Sequence, residues 1–288
     1  MEPIRIASLP AVRRKRRADL SYAAAHLAAV TALAACSWIL HPLAGMAVAL
    51  MVIVRVATIV LNDLEDHIGM ARGVVPVTER SQCPVLWDAA RECCAAAGMR
   101  PVRLYLFEPG VKLPAASWGF LSRRSLGMSR TLIGRFQPEW VRATVAHEVA
   151  HHAMGDLRAS AATKVLEWAL RDAVFILLIA SLWTFVSGTP ASLGRIACAA
   201  VAAGAALIAG EAAQALWKPH LRYAREFAAD SLGVALTGDA IGAMGLLLYL
   251  AVASGSLSQD PEPRPGRSHP PPLVRIKKIA EDNLRTSR

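Results

Sequence analysis

Charged side chains are scarce in this chain of 288 residues: they make up 19% of it, whereas hydrophobic residues make up 54%. The mean hydropathy is correspondingly high, at +0.36. Soluble globular proteins carry charge on about a quarter of their residues. The shortage of charge therefore argues against an ordinary soluble protein and predicts several membrane-spanning segments.

Acidic residues are fewer than basic ones, and the sequence has no closely spaced cysteine pair of the kind that binds a metal. The net charge is +10, but the arginines cluster beside apolar runs and no nucleic-acid-binding motif accompanies them, so we expect no nucleic-acid partner. The five cysteines form no Cys-x-x-Cys pair, which excludes a metal site of that spacing. Their odd number favours a reduced, cytosol-facing environment in which they act as small packing residues.

Apolar runs alternate with mixed, charged stretches along the chain and predict five segments. These are a basic N-terminus over 1–19, a transmembrane hairpin over 20–61, the first half of a soluble domain over 62–164, a second transmembrane hairpin over 165–217, and the second half of the soluble domain over 218–288. Basic residues cluster before the first run, and the positive-inside bias then places both soluble halves in the cytosol. We expect a multi-pass protein of the inner (plasma) membrane. Arg55, inside the second run, either snorkels to a membrane surface or faces a partner helix.

Sequence periodicity in the soluble halves predicts a small β-sheet packed against helices. Alternating residues predict strands near 102–107, 116–120 and 128–133, and helical spacing predicts helices over 85–97 and 273–284. The predicted fold class is therefore mainly α with a small β-sheet, plus about four transmembrane helices. An exposed edge strand would let an extended peptide add to the sheet through backbone hydrogen bonds.

The segment His147–His151, with the sequence HEVAH, is the motif with the clearest chemistry. A spacing of four residues places both imidazoles on one face of a helix, where they can share a metal ion. Glu148 is placed to act as a base towards a water molecule rather than as a ligand. Pro138 and Glu139 predict the start of this helix, whose charged residues place it outside the bilayer. The motif predicts zinc-assisted hydrolysis.

The third metal ligand must come from elsewhere in the chain. One common extension of the motif needs Gly at position 154 and His at position 157, but the chain has Met154 and Leu157, which excludes it. Glu226 and Asp230 lie four residues apart on a later helix and so face the same way. We expect Glu226 to bind the metal and Asp230 to accept the free N–H of a ligand histidine. His152 points away from the ligand direction, and we interpret it as a neighbour.

The order of these motifs resembles the HtpX and CAAX-prenyl-protease family of membrane zinc endopeptidases. The resemblance rests on His147–His151 followed by Gly155-Asp156, two apolar runs, Arg225–Asp230, and finally His269-Pro270 with Arg275. It implies that the soluble domain is an α+β, zincin-like catalytic domain of the gluzincin type.

The resemblance also implies a role for each matching residue. The implied zinc ligands are His147, His151 and Glu226, and the implied general base is Glu148. Asp230 and Asp156 would support the ligands. His269 and Arg275 would lie near the substrate or the reacting oxygen. The chain departs from the family at 113–118, where relatives usually have an Asn-Ala-containing edge segment. We expect this departure to affect substrate preference.

The expected function is that of an integral-membrane zinc endopeptidase. HtpX-like relatives imply that it hydrolyses peptide bonds of membrane or misfolded proteins in membrane protein quality control, whereas the prenyl-protease branch implies C-terminal processing of lipidated peptides; the compact plan of four apolar runs favours the former. In the expected mechanism, His269, Arg275 or Tyr223 would stabilise the oxyanion. The alternative is a membrane sensor or scaffold that keeps the zinc-protease fold for regulation, with self-cleavage at most. A transporter is a weaker alternative, because the spanning runs contain few polar residues beyond Arg55.

Overall fold

A computed structural model describes residues 9–69, 74–109, 114–119, 124–187, 193–255 and 269–286, together with Ile4, Ile6 and Glu262. The α-helices within these ranges are α1 (Pro10–Leu40), α2 (Pro42–Gly69), α3 (Pro84–Ala96), α4 (Arg130–Ile133), α5 (Pro138–Met154), α6 (Asp156–Val186), α7 (Leu193–Thr237), α8 (Ala240–Ala253) and α9 (Pro272–Thr286). The strands are β1 (Val74–Val77), β2 (Arg103–Phe107), β3 (Ala115–Trp118) and β4 (Ser125–Ser129). The predicted fold class is confirmed.

The chain forms two compact units. The sheet unit comprises 1–17, 63–158 and 219–288, and the helical unit comprises 18–62 and 159–218. The assignment of the predicted segments to membrane and cytosol stays a prediction.

The helical unit has the character of a membrane-embedded bundle. Among the described residues, four helices, α1, α2, α6 and α7, are long and apolar enough to cross a membrane. Leu33, Val48 and Leu177 are buried in its core, whereas Trp183 and Ile208 are 68% and 73% exposed. Large apolar side chains on the outside of a bundle are the surface that lipid tails require.

Arg55 faces a partner helix, α6. Its Nε and Nη2 donate hydrogen bonds to the two carboxylate oxygens of Asp172, at 2.6 and 2.9 Å. Its guanidinium carbon also lies 5.4 Å from the ring centroid of Trp168. A bidentate pair and an aromatic face compensate the charge of this half-buried arginine.

The sheet unit contains a four-stranded sheet of order β1-β2-β4-β3. Strands β2 and β4 are parallel, while β1 pairs with β2 and β3 pairs with β4 in antiparallel register. One face of the sheet packs on α5 through Leu126 and Met128 of β4 and Val145 of the helix, all fully buried. Strand β3 stands at an edge of this sheet.

The structure corrects part of the predicted sheet. Strand β4 ends at Ser129, and Arg130–Ile133 form a short helix, so the strand predicted over 128–133 is wrong in its last four residues. The N–H of Gly134 donates to the carbonyl oxygen of Arg130 at 3.2 Å and closes a helical turn that alternation does not show. Strand β1 and helix α8 were not predicted. The helices predicted over 85–97 and 273–284 are confirmed to within about two residues.

Candidate active site

Helix α5 presents the HEVAH segment on one side. Pro138 is its first residue, and Gly155, with φ of 72°, ends it in the left-handed conformation that glycine adopts without strain. Val141, Val145 and Val149 are buried in the core. These valines fix the rotation of the helix, which leaves His147, Glu148 and His151 at half-buried positions.

Helix α7 brings a carboxylate to the same place by packing closely on α5. A Cβ atom added at Gly233 would lie 3.3 Å from the backbone nitrogen of His147, a tighter contact than most Cβ atoms make, so the glycine favours this close approach of the two helices. One and two turns earlier on α7 are Asp230 and Glu226, which are 8% and 6% exposed. The local packing therefore turns two buried carboxylates towards the two imidazoles.

Three of the predicted site residues converge on one point. The Nε2 atoms of His147 and His151 lie 3.1 Å apart. The Glu226 carboxylate lies 3.5 Å from Nε2 of His147 and 3.7 Å from Nε2 of His151. All three ligand atoms lie within 4.8 Å of one another.

This arrangement fits a metal ion on two counts. A tetrahedral zinc ion with bonds of about 2.0–2.1 Å separates neighbouring ligand atoms by about 3.3 Å, close to the spacings above. The Nδ1 atoms of His147 and His151 face carboxylates, so in the neutral rings both Nε2 lone pairs point at the same space. Two lone pairs 3.1 Å apart repel unless a cation or a proton lies between them. Two imidazoles and one carboxylate are a donor set that zinc accepts.

A carboxylate supports each histidine from behind. Nδ1 of His147 lies 3.0 Å from Oδ1 of Asp230, and Nδ1 of His151 lies 2.7 Å from Oδ2 of Asp156. Both acids are buried. Such contacts fix the imidazole tautomer and leave Nε2 as the donor atom for a metal.

Arg275 contacts both carboxylates that α7 supplies, those of Asp230 and Glu226. Its Nε and Nη2 donate to the two oxygens of Asp230, at 2.7 and 2.5 Å. Its Nη1 lies 3.4 Å from Oε2 of Glu226. The side chain is 12% exposed, and the buried carboxylates keep the pKa of its guanidinium above the ordinary value despite desolvation. Arg275 therefore balances the negative charge of the cluster.

His269 approaches the cluster from the cavity side. Its Nδ1 lies 2.9 Å from Oε2 of Glu226, while its side chain stays 61% exposed. That oxygen is buried and accepts no hydrogen bond of good geometry from the described residues, although two cationic or N–H groups stand near it. A buried carboxylate oxygen that is short of a partner is a further feature that a bound cation would satisfy.

The electrostatics of the cluster make the first histidine basic. Burial alone would lower the pKa of the His147 imidazole, but its contacts with Asp230 and Glu226 outweigh burial and raise the pKa to about 10. At neutral pH and without a cation, this ring therefore carries a proton. A metal ion would take the place of that proton, because metal ligation requires the neutral imidazole.

A cavity of about 570 Å³ opens beside the cluster. Glu148 lines it next to His147, and Ala115 of the edge strand β3 lines it as well. The rest of its wall is largely apolar and comes from α5, α8 and the β4–α4 region: Met128, Leu132, Phe136, Ala143, Leu246, Leu247 and Leu250. The arrangement places a base, a metal-binding cluster and an edge strand around one large, mostly apolar space.

Two other predicted residues lie outside this arrangement. Tyr223 is buried against Phe227, with ring centroids 6.3 Å apart, and is not among the described residues that line the cavity. His152 is buried too, and its Nε2 lies 2.9 Å from the carbonyl oxygen of Ser125. The structure therefore does not bring Tyr223 to the site, and it places His152 beside the site as a neighbour.

Sequence reasoning missed Lys15. Its ammonium is buried and forms an ion pair with Asp156, the acid behind His151. Lys15 belongs to a run of five basic residues before an apolar stretch, so its charge was interpreted only as a signal of membrane topology. No local pattern distinguishes it from the arginines beside it.

Comparisons with known proteins bear on this geometry. A family model described as "Peptidase family M48" matches residues 86–283. Among solved structures, the chain is similar to Ste24p of S. mikatae, with a TM-score of 0.53 and 15% identity, over 94% of this chain and 66% of that one. The chain thus spans less than two thirds of the length of Ste24p. No curated protein sequence matches the chain.

Proposed function

The chain belongs to peptidase family M48, in agreement with the resemblance predicted from its motifs, and on this premise we propose that it is an integral-membrane zinc endopeptidase. It hydrolyses peptide bonds of membrane or misfolded proteins at a cytosolic active site, in membrane protein quality control. The observation that carries the proposal is the convergence of His147, His151 and Glu226 within 4.8 Å, beside Glu148 and a large cavity.

His147, His151 and Glu226 would hold the metal ion. When bound, zinc supplies Lewis acidity, which polarises a carbonyl group and makes a water molecule more acidic. Asp230 and Asp156 keep the two imidazoles oriented with Nε2 free. The family membership and the donor set support a metal-dependent peptidase, and zinc is the ion that such a donor set suits best.

Glu148 acts as the general base in this proposal. It lies next to His147 on the cavity wall and is half-buried, so it reaches a substrate without being fully desolvated. It removes a proton from the attacking water and passes the proton to the leaving amine. Proton transfer by a positioned carboxylate contributes about 10²- to 10⁴-fold to the rate.

His269 and Arg275 stabilise the charge that develops on the scissile carbonyl oxygen. His269 is mostly exposed at the cavity, and a ring N–H there can turn from Glu226 towards a substrate oxygen. Arg275 uses Nε and Nη2 on Asp230, which leaves Nη1 free to face Glu226 and the cavity. Asp230 holds the Arg275 guanidinium in place before the reaction, and a donor fixed in this way stabilises an oxyanion without reorganisation.

The substrate lies along the edge strand in an extended conformation. Ala115 of β3 lines the cavity, and the outer edge of an edge strand offers unpaired backbone groups to an added strand. The apolar wall contributed by α8 accepts a bulky apolar side chain next to the scissile bond. Segments of misfolded or membrane proteins are rich in such side chains, which supports the proposed substrate class.

Cleavage of an unfolded soluble protein by the detergent-solubilised chain tests this function. We expect zinc-dependent cleavage, and we expect Glu148→Gln to retain the bound metal while losing at least about 10²-fold in rate. Glu139→Gln, an exposed position on the same helix, is the matched control and stays fully active. Full activity in Glu148→Gln would reject the assigned base. Stoichiometric zinc with no cleavage by the unaltered chain would favour the sensor or scaffold.

A further inference from the structure

The first described residues of the sheet unit, Ile4, Ile6 and 9–17, form an N-terminal arm that contacts three of its helices. The backbone N–H of Ile4 donates to the carbonyl oxygen of Ala96, at the end of α3, at 3.1 Å. Ala11 and Val12 at the start of α1 are buried with Ala228, which lies two residues after Glu226 on α7. The arm is therefore packed directly on the helix that supplies the carboxylate ligand.

Lys15 connects the same arm to the helix that supplies the two histidines. Its Nζ donates to the carbonyl oxygen of Met154, the last residue of α5, at 3.3 Å, and it forms an ion pair with Oδ1 of Asp156. Lys15 is only 4% exposed, whereas the flanking Arg14 and Arg16 are exposed. A membrane-topology signal requires charge but not burial. The burial of this one lysine therefore calls for a second explanation.

Asp156 lies between Lys15 and the proposed metal ligand His151 and contacts both. It is 4% exposed, and its two oxygens face in different directions: Oδ1 faces Lys15, and Oδ2 lies 2.7 Å from Nδ1 of His151. A buried carboxylate is costly unless a cation compensates it. With Lys15 in place, Oδ1 faces a cation and Oδ2 stays directed at the ring. Without Lys15, the buried carboxylate would lose the cation that faces Oδ1.

We propose that the N-terminal arm is part of the metal centre and that Lys15 is a positioning residue, acting through Asp156 on His151. The arm holds α5 and α7 in the spacing at which their ligands meet. This inference rests on the proposed metal-dependent function. It adds to that function a contribution from the first turns of α1, which lie far in sequence from every proposed ligand.

The test compares Lys15→Gln with Arg14→Gln in the full-length, detergent-solubilised protein. Glutamine keeps most of the side-chain length and an N–H donor for the Met154 carbonyl, but it removes the charge. Arg14→Gln removes the same charge from an exposed position one residue away. The readouts are the zinc dissociation constant, measured by competition with a chromophoric chelator, and the visible absorption spectrum of the cobalt-loaded protein. Loss of an outer partner of a metal ligand costs about 10- to 100-fold in affinity.

We expect Lys15→Gln to weaken zinc binding about tenfold and to change the cobalt spectrum. Arg14→Gln stays within about twofold of the unaltered chain, and Lys15→Arg restores the affinity. In an Asp156→Asn background, Lys15→Gln adds no further loss, because the lysine acts through that carboxylate. A merely structural lysine would not give this pattern.

Equal zinc affinities for Lys15→Gln and Arg14→Gln would overturn the proposal. It would also be overturned if Lys15→Gln failed to fold, or if it lowered the melting temperature of the metal-free protein without changing affinity or spectrum. Either result would make the arm a part of the scaffold alone. Failure of the proposed function gives a different result: the unaltered chain would then bind no zinc, or would bind it without cleaving.

Discussion

Each imidazole of the cluster depends on a carboxylate from a different helix. Asp230 on α7 holds His147, and Asp156 at the start of α6 holds His151. Asp230 is also the bidentate partner of Arg275, so its negative charge serves two neighbours at once. Removing that charge should affect the cluster more than removing a charge on the surface.

We predict that Asp230→Asn weakens zinc binding by about 10- to 100-fold, because His147 loses its oriented partner and Arg275 keeps a buried charge that is only partly compensated. Isothermal titration of the metal-free protein measures the effect. Asp88→Asn, which removes an acid from an exposed ion pair with Arg80, is the control. An unchanged dissociation constant in Asp230→Asn would show that Asp230 does not support the ligand.

Local spacing allowed two pairs of site residues to be predicted from the sequence, whereas Asp156, His269 and Arg275 were predicted from the resemblance of the motif order. His147 and His151, like Glu226 and Asp230, lie four residues apart on helices, and that spacing places each pair on one face. Lys15 has no such relation to Asp156. The two residues meet because the fold brings distant segments together, and a basic run before an apolar stretch already has a sufficient explanation in membrane topology.

Helices α5 and α7 come together closely at Gly233, and this contact sets the distance between the histidines and Glu226. We predict that Gly233→Leu lowers stability by about 1–3 kcal/mol and weakens metal binding, since the added side chain must push the helices apart. Thermal unfolding and zinc affinity are the measurements. Gly204→Leu is the control on the same helix, because a Cβ atom there meets nothing within 4 Å. Equal behaviour of the two variants would contradict this account of the helix contact.

Ala143 on α5 lines the apolar cavity one turn before His147, and helix α8 supplies much of the remaining apolar wall. We predict that Ala143→Phe fills part of this cavity and therefore shifts cleavage from sites with bulky apolar residues to sites with small ones. Mass spectrometry of the fragments from one unfolded substrate measures the shift. Ala95→Phe, at an exposed position on α3, leaves the cleavage sites unchanged. The same sites in Ala143→Phe would mean that the cavity does not select the side chain.

Sequence patterns predicted some of these elements better than others. Helix α3 and the strand at 103–107 have clear periodicity, and both were predicted to within about two residues. Helix α8 is apolar on almost every side, so no amphipathic stripe marks it. Strand β1 is only four residues long and pairs with β2, about 30 positions later, so its pairing depends on contacts that local periodicity does not encode.

The alternation of apolar and charged segments predicts the sidedness of the whole molecule. With both soluble halves in the cytosol, a membrane-impermeant thiol reagent should label Thr189→Cys in intact cells, and should label Ser81→Cys and Lys277→Cys only after lysis. The background for all three lacks Cys36 and Cys198. Labelling of Ser81→Cys or Lys277→Cys in intact cells would reject the cytosolic site, whatever the catalytic activity.

The groups around the proposed metal site also differ in when the ribosome makes them. Lys15 is made first, the two histidines appear midway, Glu226 comes later, and Arg275 is made last of these. A nascent chain that stops before α7 holds the two imidazoles without Glu226, Asp230 or Arg275. Under the proposed function, metal binding and hydrolysis would therefore follow the synthesis of nearly the whole chain.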